Sequence, residues 1–360
     1  MPKNNFMICV FSFSYYGFTV MLKVWFSFLL TLVFFAANLS PAKAKEALDL
    51  VIIETLPVPI VAESRAEFEK ELIRIMPEHD INVTTYNAEG SEERAKEILR
   101  ELAKEPKPDL IVSVATLATR ALNASEEFVD TPKLFMVVSA PVEEGIVPAI
   151  GATSKRNMTG ESHVLDAKVK LDMLDGVLRA SEPTSPLTIG LVHSTYPSSS
   201  NLVNQLLALD SEYENINLVA VSTPYLEGDE GLVEMTDSIV DSLEQRSSEL
   251  DGYWLSSGPL AEAKGLVGKV NEKTGLLPLF AESIASVKKG ALIGVVSEPK
   301  SIGKSAARKA KLILQEKSAR DIPVGKMDTY TVAVNVATAI KLQLPIPSNY
   351  LRLSKEHVYQ

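Results

Sequence analysis

Short apolar runs recur along the chain, and each ends in small, hydroxylic or acidic residues. The seven runs are Leu48–Ile53, Leu110–Val114, Leu134–Val138, Leu187–Val192, Gly252–Leu255, Leu276–Phe280 and Leu292–Val296. Segments predicted to be helices, such as Glu63–Met76, Ser91–Lys104 and Pro259–Thr274, lie between them. This alternation predicts parallel βαβ units in sheets that are covered on both faces. The polar strand ends then share one sheet edge, which is where open α/β sheets bind ligands.

The alternation is interrupted near Ala152–Ser162. Thr153–Gly160 is polar and has neither a helical nor a strand period, so we interpret it as the crossing into a second lobe. A length of 360 residues also favours two domains. A cleft between two lobes is a preferred site for a small molecule.

The N-terminal segment has the pattern of a secretory signal peptide. Met21-Leu22-Lys23 opens the apolar run Val24–Leu39, and Ala42-Lys43-Ala44 has the small-x-small form of a cleavage site. We predict that residues 1–44 are removed, with Met21 as an alternative start, and that the mature protein is periplasmic. An uncleaved anchor helix is the rival interpretation, although about 20 apolar residues are usual for a span.

Charge and cysteine content narrow the classes of partner and chemistry. The formal net charge is −10 and becomes −13 without residues 1–44, which argues against nucleic acid and anionic membranes as partners. The single cysteine, Cys9, lies in the segment predicted to be removed. The mature chain would then have no thiol for a disulfide, a metal or nucleophilic catalysis.

The chain carries no motif of a known catalytic or cofactor site. The four histidines are scattered, and neither Gly-x-Ser-x-Gly nor a glycine-rich phosphate loop is present. Gly303-Lys304-Ser305 resembles the end of a phosphate loop, but Glu298 stands where its first glycine is needed. We therefore predict no enzymatic activity, no cofactor and no metal.

Polar residues at strand ends are instead suited to holding a solute. Thr116 and Ser198–Asn201 open predicted helices, whose free N–H groups favour an anionic group. Helix capping alone would also explain these residues. Glu54, Glu282 and Glu298 follow strands and could receive an ammonium or hydroxyl group, or could be solvated loop acids. Tyr253 and Trp254 lie within a strand and are assigned to the core.

Several segments resemble one family of proteins. They include PDLIVSVATLATRAL, RNMTGES, TIGLVHSTYPSSSN, the SSGPLAE turn, LPLFAESIASVKKGALIGVVSEPKSIGKSAARKA and VAVNVATAIKLQLPIPSNYL. Together they resemble the substrate-binding proteins of ABC transporters of the tryptophan-binding-protein (TrpX-like) type, over nearly all of residues 48–358. The stretch Ser297–Lys300 departs from the family pattern, in which an aspartate and a tyrosine are common.

The resemblance implies an α/β protein with two Rossmann-like lobes, parallel sheets and three crossovers, the type I periplasmic-binding-protein fold. The implied lobes are residues 45–161 plus 300–327 and residues 162–299 plus 328–360, with the ligand cleft between them. By position in the family, the implied ligand contacts are Thr55, Ala115, Thr116, Ser139, Ala140, Ser199, Asn201, Ser256 and Glu282.

The sequence thus predicts a monomeric extracytoplasmic receptor that delivers a small polar solute, an amino acid or related compound, to an ABC permease. An alternative is a periplasmic sensor that feeds a membrane histidine kinase or a chemoreceptor.

Overall fold

A computed structural model describes residues 45–181, 183–315, 318–327 and 329–360 of the chain. The predicted signal peptide and Cys9 lie outside these residues. Residues 47–360 form one compact unit. In the described part of the chain, no helix is both long enough and apolar enough to span a bilayer.

Five strands from the first half of the chain and one short later strand build one sheet, which we call the sheet of the N-lobe. Its strands are β1 (Glu46–Glu54), β2 (His79–Asn87), β3 (Leu110–Val114), β4 (Lys133–Val138), β5 (Met158–Ser162) and β11 (Gly325–Lys326). Their order is β11-β5-β4-β3-β1-β2. The sheet is covered by the helices α1 (Pro59–Ile75), α2 (Glu92–Leu102), α3 (Thr116–Ala124) and α9 (Pro299–Leu314).

The second sheet belongs to what we call the C-lobe. Its strands are β6 (Leu187–Ser194), β7 (Ile216–Thr223), β8 (Gly252–Leu255), β9 (Leu279–Ala281), β10 (Ile293–Val296), β12 (Thr331–Asn335) and β13 (Val358–Tyr359). Their order is β13-β12-β10-β9-β8-β6-β7. The helices of this lobe are α4 (Ala167–Leu178), α5 (Pro197–Leu207), α6 (Gly228–Gln245), α7 (Leu266–Thr274), α8 (Ile284–Lys288), α10 (Val336–Leu342) and α11 (Ser348–Ser354).

This arrangement confirms the predicted α/β class, with one exception to the parallel rule. The strands β1, β3, β4 and β5 are parallel neighbours, and so are β7, β6, β8, β9 and β10. The pair β10–β12 is antiparallel, because the chain enters β12 directly from the other lobe. The exact lobe boundaries stay a prediction.

Two local predictions were wrong. The polar segment before Ser162 was interpreted as a crossing, but its end forms β5, which pairs with β4. A Cβ on Gly160 would lie 2.5 Å from the Phe135 carbonyl oxygen, so the strand needs glycine there and lacks an apolar period. The predicted helix 259–274 is split: a short turn, Pro259–Glu262, ends at the extended residue Ala263, and α7 begins after Gly265, whose φ is +81°.

The described chain passes between the sheets after β5, after β10 and after β11. Ser297 lies in the second passage, and its hydroxyl donates to the backbone oxygen of His163 in the first at 2.5 Å. The backbone oxygen of Thr329, in the third, lies 3.4 Å from the same hydroxyl. One side chain thus joins all three passages and makes this the structural centre of any hinge.

Gly303 allows α9 to lie against α1. An added Cβ would be 2.4 Å from the Ser64 carbonyl oxygen and 2.8 Å from the Phe68 nitrogen, both of which are backbone atoms. We therefore expect Gly303→Ala to lower the free energy of unfolding by about 1–3 kcal/mol, despite alanine's better helix propensity. Urea denaturation measures this.

Gly268 in α7 is the matched control, because no atom lies within 4 Å of its added Cβ. Gly268→Ala is expected to leave stability unchanged or raise it by up to about 1 kcal/mol. Equal effects of the two substitutions would contradict the packing argument.

Candidate functional site

An inner cavity of about 40 Å³ lies where strand ends of the two lobes face each other. The N-lobe provides a polar floor and an apolar wall, consisting of Thr55, Leu56, Val58, Ile60, Val61, Ala115, Thr116, Val137 and Ser139. The C-lobe contributes Tyr196, Ser198, Ser257, Gly258, Pro259 and Glu262, and His163 lines the cavity from the first passage between the lobes. The cavity has room for a few water molecules only, so a solute can enter only if the lobes separate.

The floor of the inner cavity is built around the N-terminus of α3. Ala115 precedes this helix with φ of 71° and ψ of 171°, a conformation that non-glycine residues rarely adopt. The Thr55 hydroxyl, at the end of β1, accepts a hydrogen bond from the Ala118 N–H at 3.0 Å. The first turn of α3 therefore faces the cavity, with one of its free N–H groups capped by the neighbouring loop.

Tyr196 reaches this floor from the C-lobe. Its hydroxyl lies within hydrogen-bonding reach of the Thr116 and Thr55 side chains and the Leu117 backbone N–H. Burial raises the pKa of this hydroxyl to about 12, so it is neutral at physiological pH. The Tyr196 ring packs edge-on against Tyr225, with 5.0 Å between ring centroids. A polar oxygen thus occupies the place where an anionic group would meet α3.

The C-lobe face of the inner cavity is tightly built around α5. The Ser199 hydroxyl donates to the Ser257 carbonyl oxygen at 2.7 Å. Gly258 has φ of 145°, and a Cβ there would lie 2.0 Å from that hydroxyl. This turn after β8 can therefore approach α5 only with a glycine, and Ser199 serves to hold it in place.

An outer pocket of about 350 Å³ adjoins the inner cavity and shares Ile60 and Glu262 with it. Its other lining residues are Pro59, Glu63, Glu282, Ser283, Ile284, Ala285, Lys288, Val296, Ser297, Glu298, Pro299, Lys300, Glu356 and His357. Acidic residues outnumber basic ones in this lining. The volume falls within the usual range for a small-molecule site, and the excess of carboxylates favours a cationic group.

Glu262 stands at the junction of the inner cavity and the outer pocket. Burial raises its pKa to about 7; the Ser283 side chain opposes this shift and the nearby Glu63 carboxylate adds to it. A half-buried carboxyl group of this kind gains from a cationic partner.

The carboxylates that the sequence analysis singled out, Glu54, Glu282 and Glu298, have protein partners. Glu282 accepts from Lys170 Nζ at 2.6 Å and from Trp254 Nε1 at 2.9 Å, and all three side chains are buried. The Glu54 carboxylate is 3.0 Å from Arg65 Nε. Their hydrogen-bonding capacity is thus directed at the protein, which leaves Glu262 as the better candidate for a cation.

The predicted contacts divide into three groups. Thr55, Ala115, Thr116 and Ser139 line the inner cavity, and Glu282 lines the outer pocket. The remaining predicted residues are Ala140, Ser199, Asn201 and Ser256, and none of these lines either space. Their role as ligand contacts stays a prediction for all nine.

Asn201 and two other polar residues bridge the lobes. Asn201 Nδ2 donates to Glu144 Oε1 at 3.1 Å, Gln205 Nε2 to Glu143 Oε1 at 2.5 Å, and the Tyr225 hydroxyl to the Gly90 carbonyl oxygen at 2.7 Å. These bonds can form only when the lobes are close together. The structure is therefore a closed form.

Sequence reasoning did not assign a ligand role to Tyr196, His163 or Glu262. Tyr196 precedes a helix whose serines have the pattern of N-terminal caps. Glu262 lies in a short turn within a segment whose sequence predicts one longer helix. His163 was one of four scattered histidines. Only the approach of the two lobes brings these side chains to one place.

The C-terminal tail adds a cluster at the rim of the outer pocket. Glu298, Glu356 and His357 offer atoms within 4.8 Å of one another that could coordinate a metal. His357 Nε2 is already 2.9 Å from Glu298 Oε1. The predicted absence of a metal stays a prediction.

Comparisons with known proteins agree with this architecture. The family described as ABC transporter substrate binding protein matches residues 64–358. A tyrosine-binding protein of Clostridioides difficile (strain R20291) is 25% identical over 268 residues, which are 74% of this chain and 71% of that protein.

Two solved structures show the same fold. One is an ABC domain from Streptococcus pneumonia in complex with L-Trp, with a TM-score of 0.72, 19% identity and coverage of 86% of this chain and 99% of that one. The other is a conserved domain protein from Vibrio cholerae, with a TM-score of 0.73, 19% identity and coverage of 87% and 99%. The predicted type I periplasmic-binding-protein fold is thereby confirmed. Because the family match spans most of the chain, this protein belongs to the ABC transporter substrate binding protein family, as its sequence predicted.

Proposed function

We propose that the protein is a non-enzymatic extracytoplasmic receptor that carries an amino acid, or a related zwitterion, to an ABC permease. The observation that carries the proposal is the inner cavity, in which a helix N-terminus of one lobe faces a carboxyl group of the other. These two features are complementary to a carboxylate and an ammonium group on one small solute.

The anionic end of the solute would bind at α3. The Leu117 N–H and the Thr116 side chain interact with the Tyr196 hydroxyl. We place the carboxylate of the solute where this hydroxyl lies. Helix N-termini favour anions because of their free N–H groups and partial positive charge. A carboxylate there would accept hydrogen bonds from α3 after the lobes open and close around it.

The cationic end would bind at Glu262, and the remainder of the solute would extend into the outer pocket. That pocket combines apolar residues such as Ile60, Ile284 and Val296 with carboxylates. A mixed lining of this kind suits a side chain of moderate size. Relatives support this class of solute, since one is named for tyrosine and another was solved with L-Trp.

The family supports export and a permease partner, and residues 21–44, which have the pattern of a signal peptide, support export. Closure of the lobes would form a surface that the permease can bind.

Thermal unfolding in the presence of a solute panel tests the proposal. The panel contains the twenty protein amino acids, with glycerol and myo-inositol as hydroxylic solutes without charge. We expect one or a few amino acids to raise the melting temperature, because a solute bound only to the folded state stabilises it. A rise with the uncharged solutes alone, or with no member of the panel, would contradict an amino-acid receptor.

A further inference from the structure

His163 combines three features that no other cavity residue shares. It is 5% exposed, it lines the inner cavity, and it belongs to the first passage between the lobes. Its backbone oxygen accepts the 2.5 Å hydrogen bond from Ser297. The backbone of His163 is thus anchored to the second passage between the lobes.

The ring is neutral and incompletely hydrogen-bonded. Burial lowers the pKa of His163 to about 4, with the Lys170 charge acting in the same direction. The Val138 carbonyl interacts with the ring. A carbonyl can take only an N–H, so the other nitrogen of the neutral ring is an acceptor.

One ring nitrogen of His163 has no hydrogen-bond partner among the described residues. This atom, Nδ1, is buried. Leaving a buried polar atom unpaired costs about 1–3 kcal/mol. Such an atom beside a cavity is accounted for if a bound molecule completes its hydrogen bonding.

We propose that His163 is a specificity-determining residue, whose unprotonated ring nitrogen accepts a hydrogen bond from an N–H or O–H donor on the bound solute. The proposal rests on the proposed function, because it requires a solute in the inner cavity. Solutes that present a donor next to the hinge are selected over isosteric solutes that lack one. A residue of the hinge thereby distinguishes solutes with a hydrogen-bond donor from solutes without one.

Isothermal titration calorimetry with L-tyrosine and L-tryptophan tests the role of the ring. We expect His163→Phe to weaken the binding of these probes by about ten- to a hundredfold, the usual loss for a hydrogen bond to a charged donor. His163→Asn and His163→Gln each offer an acceptor near one ring nitrogen, and one of them is expected to restore most of the affinity. Equal affinities of the wild type and the Phe variant would overturn the proposal.

His193 provides the matched control. It is also a buried histidine at the end of a strand, but its Nδ1 lies 2.9 Å from the Ser194 carbonyl oxygen and it does not line the cavity. His193→Asn is expected to leave probe affinity within about twofold. A loss as large as that of His163→Phe would show that affinity reports general damage to the fold, which overturns the assignment.

Nitrogen NMR of the ¹⁵N-histidine-labelled protein separates this proposal from the function proposed above. Without any solute, His163 should show one protonated nitrogen and one free acceptor nitrogen, unchanged between pH 8 and pH 6. If neither L-tyrosine nor L-tryptophan binds the wild type, a receptor for these two amino acids is contradicted. The spectrum still tests whether His163 has a free acceptor nitrogen. A ring in which both nitrogens are protonated or hydrogen-bonded would overturn the proposal, whereas one free acceptor nitrogen supports it.

Discussion

Replacing Glu282 with alanine is expected to lower the free energy of unfolding by about 3–5 kcal/mol. The substitution leaves the Lys170 ammonium and the Trp254 N–H buried without the carboxylate that now accepts from both. An uncompensated buried charge is among the most costly changes that a single substitution can make. Urea denaturation, followed by the fluorescence of Trp254, measures the loss.

A double variant distinguishes the ion pair from the space that it fills. Lys170→Met with Glu282→Gln removes both charges and keeps an acceptor for Trp254, so most of the stability should return, since buried ion pairs often contribute little net stability. Glu282→Gln alone should remain strongly destabilised because Lys170 is left unpaired. If the double variant is as unstable as the Gln single variant, the loss does not come from the unpaired charge.

Replacing Glu262 with glutamine is expected to weaken amino-acid binding at pH 8 by about ten- to a hundredfold, which is the loss of one charge-assisted hydrogen bond. The wild-type carboxyl group has a raised pKa of about 7. Below that pH it is protonated, so affinity for an ammonium group should fall by up to tenfold per pH unit as the pH decreases. Calorimetry between pH 8 and pH 5.5 should show this slope in the wild type and not in the Gln variant.

The same shift predicts an opposite effect on the solute-free protein. A folded pKa above the unfolded value means that the folded state binds more protons, so the contribution of Glu262 to stability is fully present below the unfolded pKa and is lost as the pH rises through about 7. Glutamine mimics the protonated form and should raise the free energy of unfolding at pH 8 by about 1–3 kcal/mol. A destabilised Gln variant at pH 8 would contradict the claim that burial of the charged Glu262 carboxylate costs stability.

Much of the fold could be predicted because its strands are encoded by local patterns. Leu110–Val114 and Gly252–Leu255 match their observed bounds, because each is an uninterrupted buried run. The strand β5 was missed because its pairing depends on Gly160 accommodating Phe135, a contact between distant residues. Short tail elements such as β13 likewise depend on a neighbour, β12, and not on their own composition.

The candidate site was harder to predict for the same reason. Thr55 and Thr116 could be found because strand ends and helix starts mark them in one lobe. The part of the site contributed by Tyr196 and Glu262 arises only when the C-lobe meets the N-lobe. Glu282 followed the strand-end rule, yet its carboxylate is taken up by Lys170, a partner 112 residues away.

The Tyr196 hydroxyl would compete with the carboxylate of a solute for the N-terminus of α3. It lies next to the Leu117 N–H and the Thr116 side chain, which a carboxylate would otherwise use, so binding would replace one oxygen with another. The apparent affinity is then the intrinsic affinity reduced by the fraction of molecules that are open and available. Only solutes that interact with α3 more favourably than the Tyr196 hydroxyl does would be retained. Weakly interacting molecules in the same compartment would therefore not be bound.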